Sequence, residues 1–250
     1  MTAVTHGIVD GIGRIVLTRP DHSNSFDLSA AEDMALAVEA VSVDEVRAIT
    51  LTADGKRFCA GGDVRSFVEA DDAASYLLEL ANVLEGALRS LADLAKPVVA
   101  GVRGAVAGAG LAVMLSADVI VAARGTKFVM AYPGIGLTPD CGVSYLVPRA
   151  IGQQRALDFA LTGRVLSAEE ALDWGLVTYV VDDDAVEARV AEIAAGWATS
   201  APAALGQARR LIRSSWDTSG PEQGADESAT IAASVTGAEA QHLIEAFVSR

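Results

Sequence analysis

The sequence predicts an α/β fold with a helical C-terminal section. Early in the chain, β-rich segments alternate with helix-periodic ones, whereas beyond Val143 helical patterns dominate. Glycines also stand where strand patterns hand over to helical ones, as at Gly61 and Gly108.

The elements follow in order. "HGIVDGIGRIVLTRP" carries Asp10-Gly11 between two β-rich pieces, a hairpin signal, and Pro20 ends the second piece. "SNSFD" supplies polar caps ahead of a helical pattern over Leu28–Val41. Val46–Ala53 reads as a buried strand, stopped by Asp54-Gly55. A helix with breaks covers Val64–Leu94. Lys96–Gly104 holds a short strand entered through Pro97, and Gly108–Asp118 is a glycine turn followed by a helix. "VIVAARG" is a strand, with Thr126–Met130 as a further candidate. Helices then cover Val143–Ala150, Gln154–Leu161, Ala168–Trp174, Asp184–Thr199 and most of Pro202–Val248, with a break at Ser219–Gly224. No internal repeat or low-complexity linker interrupts them.

The composition narrows the class. The 250 residues suffice for one large domain or two smaller ones, and 51% hydrophobic with 21% charged residues is ordinary for a soluble globular chain. A formal charge of -14 argues against nucleic acid or anionic membranes as partners, and leaves room for a phosphate held by a local basic cluster. Cys59 and Cys141 have neither metal-ligand spacing nor a disulfide framework. No signal peptide is visible, and no uninterrupted apolar stretch reaches the roughly 18 residues of a membrane span. A reducing cytoplasm is the simplest compartment.

Two glycine turns carry the chemistry. "RFCAGGDV" (Arg57–Val64) follows one strand, and "GAVAGAGLA" (Gly104–Ala112) follows another. The first amides of a helix are unpaired donors bearing partial positive charge. Two such turns facing each other would hold an oxygen that becomes negative. Tight turns packed on neighbouring strands are the plainer reading. A dinucleotide site fails in detail, because after Gly108 and Gly110 the third glycine position of G-x-G-x-x-G is Val113. A Walker A lysine and a G-x-S-x-G elbow are also absent.

The stretch "FVMAYPGIGLTPDCGVSY" adds a carboxylate. Its one charge is Asp140, in apolar company that is costly for an ionised group without a partner or a task. Asp140 suits a helix N-cap ahead of "CGVSYL". It equally suits a general base, since apolar surroundings make a carboxylate a better proton acceptor.

"FCAGGDV", "AGAGLAVMLSADVIVAA" followed by "KF", "PDCGVSYLVPRAIG" and "ALTGRVLSAEEALDWGLVTYVV" occur in the order and spacing of the crotonase, or enoyl-CoA hydratase/isomerase, superfamily. The resemblance runs from "LTRPDHSNSF" to "EAFVSR". It implies a crotonase (ClpP-like) fold of repeated ββα units. It also implies a core over residues 1–195 and a helical trimerisation region over 196–250, assembled as a homotrimer or a hexamer of two trimers. The implied chemistry is that of acyl-CoA thioesters whose carbonyl oxygen lies between two main-chain amides, here those of Gly62 and Ala109.

The same resemblance places two glutamates in the hydratases of the family at the positions of Ala112 and Tyr132, so both hydratase carboxylates are missing. "GIGLTPDCGVSYLVPR" is similar to the 1,2-epoxyphenylacetyl-CoA isomerase and enoyl-CoA isomerase branch, with a catalytic aspartate at Asp140. The implied activity is double-bond migration by a single carboxylate, with no metal or redox cofactor beyond the coenzyme A moiety of the substrate. The stretch also resembles 4-chlorobenzoyl-CoA dehalogenase, which has an aromatic residue at Tyr132 and a histidine at the place of Arg89. Hydratase-like lyase, dehalogenase and non-catalytic acyl-CoA-binding trimer stand as alternatives.

The resemblance implies coenzyme A contacts at Ala60, Gly61, Gly62, Asp63 and Val64, with Arg65 near phosphate, and an acyl pocket bordered by Gly108, Tyr132 and Ile135. Asp63 reads as an acceptor of its own loop's amides, and Arg19 and His22 as loop residues that border the pantetheine channel or stay solvated. Trp174 and Cys141 read as packing residues, and Asp182–Asp184 as a solvated helix start.

Overall fold

The chain begins with the expected hairpin. β1 (Val4–Val9) and β2 (Ile12–Leu17) pair antiparallel, and Asp10 and Gly11 both adopt positive φ, 53° and 75°, as a type I′ turn requires. Asp27 caps α1 (Leu28–Ala40) by accepting the Ala30 amide. β3 (Ala48–Ala53) then enters parallel to β2. The computed structural model describes residues 2–249; Arg250, the last residue of the family-like tail, lies outside them.

The broken helix resolves into α2 (Val64–Val68) and α3 (Ala73–Asp93), the second capped by Asp72. Two strand–strand–helix units follow. The first is β4 (Val98–Val102), β5 (Ala105–Ala107) and α4 (Ala109–Leu115). The second is β6 (Val119–Ala123) and β7 (Lys127–Val129), leading through a 3-10 turn at Tyr132–Ile135 to α5 (Val143–Ile151). α6 (Gln153–Leu161), β8 (Val165–Ser167), α7 (Ala168–Trp174), β9 (Tyr179–Val181) and α8 (Val186–Thr199) complete the core. α9 (Pro202–Ser214), α10 (Gly220–Ser234) and α11 (Ala238–Val248) form the helical tail. α8 runs unbroken through residues 195 and 196, and Ser200–Ala201 separate it from α9.

The first strands of the two units join the large sheet, ordered β1-β2-β3-β4-β6-β9 and parallel from β2 onward. Their second strands join a small sheet, β5-β7-β8. The central strands are buried on both faces, as parallel sheets require. Ile49, Leu51, Val98 and Ala100 face the main core, while Ala48, Val99 and Val121 meet Val186, Val190 and Ala194 of α8. Each fully buried valine contributes about 1.5–3 kcal/mol there. All seven residues of α4 are buried, so its N-terminus is held in place from every side.

Candidate active site

The two glycine turns meet because their strands run side by side. The Cys59 amide donates to Ala105 O at 3.2 Å, and the Ala107 amide donates to Cys59 O at 2.9 Å. Residues 58–60 thus lie parallel to β5, bridged at Cys59 and Val106, and both segments reach their turns together. Gly61 sits at φ +98°, where an added Cβ would stand 3.0 Å from Ala107 O and 3.5 Å from the Ala109 nitrogen. Gly108, at φ +55°, would place a Cβ 3.7 Å from Gly61 Cα. The bends are therefore in van der Waals contact.

Both predicted oxyanion donors are free. The Asp63 amide donates to Phe26 O and the Phe26 amide to Gly61 O, which turns the Gly62 amide away from that bridge. Ala109 is the first residue of α4, where an amide has no partner within the helix. Among the described residues, neither amide donates to another protein group. Gly62 is exposed and Ala109 is buried, so a ligand oxygen must come in past Gly62.

Asp140 arrives on a backbone with three left-handed residues, Gly136, Cys141 and Gly142 at φ 72°, 49° and 79°. Its carbonyl accepts the Val143 amide at 3.0 Å, which starts α5. Its side chain does not cap that helix, whose N-cap is Gly142. Instead the Tyr132 hydroxyl donates to Asp140 Oδ1 at 2.7 Å. The Tyr132 ring in turn lies against the second glycine turn, with Cζ 3.9 Å from where a Gly108 Cβ would stand. One tyrosine ring separates the carboxylate from the oxyanion turn. Burial, followed by the Asp140 charge, pushes the Tyr132 phenol far above its ordinary range, so it stays protonated. Burial pushes the Cys59 thiol up to about 12 and raises Cys141 too, which removes both as nucleophiles at neutral pH.

The other predicted residues divide. Ala60 and Gly61 lie in the first turn, with the Ala60 amide donating to Ser23 O at 3.0 Å. Val64 and Arg65 begin α2 and are exposed, and among the described residues Arg65 makes no ion pair. Ile135 is exposed on the 3-10 turn that carries Tyr132. Asp63 departs from the expectation. Its carboxylate accepts no loop amide; it faces Arg19 Nη2 at 3.3 Å and His22 Nδ1 at 3.6 Å. Arg19 also pairs with Asp27, the cap of α1. The reason is electrostatic: a guanidinium between two carboxylates outcompetes neutral amides. Arg19 and His22 are thus tied into a clamp on the first turn. The Asp182–Asp184 run is likewise engaged, with Asp182 pairing with Arg124 and Asp183 accepting the Gly125 amide.

The position of the missing first hydratase acid, Ala112, is fully buried in α4, and that of the second is Tyr132 itself. Arg89 is exposed and paired with Glu85. A cleft of about 540 Å³ lies elsewhere, between Lys56, Arg57, Gly104 and Lys127, at the opposite ends of β5 and β7 from the free amides. The Tyr132–Asp140 bond and the Arg19–Asp63 clamp are absent from the sequence reading. "YPG" and "PDCG" are both turn signals, and two turns so close fold the segment back on itself.

Comparison with known proteins gives the family. The Enoyl-CoA hydratase/isomerase family pattern matches residues 7–250. The 1,2-epoxyphenylacetyl-CoA isomerase of Escherichia coli (strain K12) is 36% identical over 217 residues, covering 86% of this chain and 83% of its own. The 4-chlorobenzoyl coenzyme A dehalogenase-2 of an Arthrobacter species is 34% identical over 191 residues, covering 74% and 68%. The crystal structure of an enoyl-CoA hydratase/isomerase from Cupriavidus metallidurans CH34 superposes with a TM-score of 0.89 at 32% identity, covering 100% of this chain and 94% of the other. Matched along nearly its whole length in sequence and in three dimensions, the chain belongs to the enoyl-CoA hydratase/isomerase, or crotonase, family and has its fold.

Proposed function

We propose that the protein is an acyl-CoA isomerase that shifts a double bond from the 3-enoyl to the 2-enoyl position. The observation that carries this reading is one carboxylate, Asp140, beside two free amides, with no second acid at Ala112 or Tyr132. The thioester oxygen accepts from the Gly62 and Ala109 amides. Asp140 takes a proton from C2, and the C–H electron pair flows to that oxygen, giving a dienolate. The now-protonated Asp140 returns the proton at C4, the thioester carbonyl reforms, and C2=C3 remains. The carboxylate is regenerated, and the reaction needs no metal or redox cofactor beyond the coenzyme A moiety. Each amide supplies about 3–4 kcal/mol at the dienolate-like transition state. Coenzyme A would contact Ala60, Gly61, Asp63 and Val64, with Arg65 toward phosphate, and Gly108, Tyr132 and Ile135 would border the acyl group.

Hydration requires a second acid to hold and activate water, and the buried Ala112 offers none. Dehalogenation is a second reading, favoured by the Arthrobacter relative, with Asp140 as nucleophile. It lacks a partner base: Arg89, at the histidine position, is exposed and engaged by Glu85. A panel of aliphatic and aromatic enoyl-CoA esters, read by mass spectrometry for isomer, hydrate and hydrolysis product, separates these readings. Asp140→Asn should abolish isomer formation while coenzyme A ester binding changes little. Unchanged turnover in that variant would refute the assignment. A non-catalytic binder predicts neither isomer nor any deuterium uptake from heavy water at C2 of bound ester.

A further inference from the structure

Tyr132 gives the Asp140 side chain its short hydrogen bond, with the weaker Cys141 thiol also toward it, and Tyr132 and Asp140 lie on opposite sides of an exposed loop. Residues 133–138 are exposed, and the Leu137 amide closes the loop on Tyr132 O at 3.1 Å. No lysine or arginine among the described residues pairs with Asp140. The ionisable groups around it are Tyr132, the adjacent Cys141 and, acting through Cys141, Glu85 of α3 and Cys59 of the first glycine turn. Glu85 is itself paired with Arg89.

We propose that Tyr132 is the positioning residue of the base: its hydroxyl holds Oδ1, so that Oδ2 alone carries the proton from C2 to C4. This rests on the isomerase reading. The ring of Tyr132 packs beside Gly108, so the bond references the carboxylate to the oxyanion turn instead of to the exposed loop. A phenol that stays protonated neither competes as a base nor gives up its proton. A base with one oxygen held and one free moves a proton along one face of the dienolate without rotating its carboxyl. That geometry favours return of the same proton over exchange with solvent.

Tyr132→Phe keeps the ring and deletes the hydroxyl. It should lower kcat about 10- to 100-fold with KM changed less than about twofold. The share of C2 label recovered at C4 should fall. A downfield hydroxyl proton resonance in the wild type should vanish in Tyr132→Phe and shift in Asp140→Asn. Wild-type kcat with unmoved label transfer in Tyr132→Phe overturns the proposal. So does a rate loss with label transfer unmoved, which would mean packing alone. Absence of any isomerisation by the wild type instead sinks the isomerase reading, and the hydroxyl resonance then decides the Tyr132 bond separately.

Discussion

Gly61 and Gly62 are neighbours with opposite demands. Gly61 has φ +98° and no room for a Cβ beside Ala107 O, whereas the nearest atom to a Gly62 Cβ is Phe67 Cε1 at 4.0 Å. Gly61→Ala should therefore cost about 1–3 kcal/mol of stability and pull the Gly62 amide off the shared oxyanion position. Gly62→Ala keeps the amide and should leave stability within about 0.5 kcal/mol. Urea unfolding of the two variants, followed by turnover, checks the contrast. The "AGGDV" motif makes both glycines conspicuous in the sequence, but which of them is obligatory depends on the carbonyl of a strand 46 residues away, Ala107 against Gly61.

α9 acts as a bolt between core helices. Buried Arg209 donates through Nη1 to Ala92 O at 2.6 Å and through Nη2 to Leu91 O at 3.2 Å, and also bonds Leu94 O, at the C-terminus of α3. Its Nε meets Asp118 Oδ2 at 2.6 Å. Arg213 takes Asp118 Oδ1 at 2.8 Å and donates to Ser116 O and Ala117 O beyond α4, the helix that begins at Ala109. Arg209→Ala would orphan carbonyls at the end of α3 while Asp118 keeps Arg213. It should cost about 2–4 kcal/mol, measured by denaturant unfolding. At α7, the Ser167 amide, and after it Arg164 and the Ser167 hydroxyl, hold the Glu170 carboxyl down to about 2 from 4.5. A depressed acid contributes stability that is complete above about 4.5 and lost as pH falls through about 2. Wild type and Glu170→Gln should therefore converge in thermal midpoint across that window. β5, β8 and β9 escaped the sequence reading because three residues show no alternation to detect, and only β7 of the short strands was picked out, as part of the longer Thr126–Met130 stretch. The long helices were legible because each repeats its period several times, and the hairpin because Asp10-Gly11 marks its turn.

The tail leaves large apolar side chains uncovered in the single chain: Ile212, Trp216, Ile231, Val235, Phe247 and Val248 are exposed on α9–α11 and the residues between and after them. An apolar surface of this extent on a helical appendage calls for a partner surface. We expect the protein to sediment at three or six times the chain mass, and Ile231→Glu combined with Phe247→Glu to lower that mass. A monomer in the unaltered protein would contradict this. Among the described residues, no helix is long and apolar enough to cross a membrane. By itself the sequence determined what is local: strand and helix periods, glycines at left-handed positions, and two turns whose donor amides lie in the main chain. Only the tertiary structure decided which side chains meet. Tyr132 with Asp140, Arg19 with Asp63 and Arg209 with Asp118 lie 8, 44 and 91 residues apart. Such meetings depend on how separate elements stack, and that is fixed by burying the whole apolar core at once, not by any repeat along the chain.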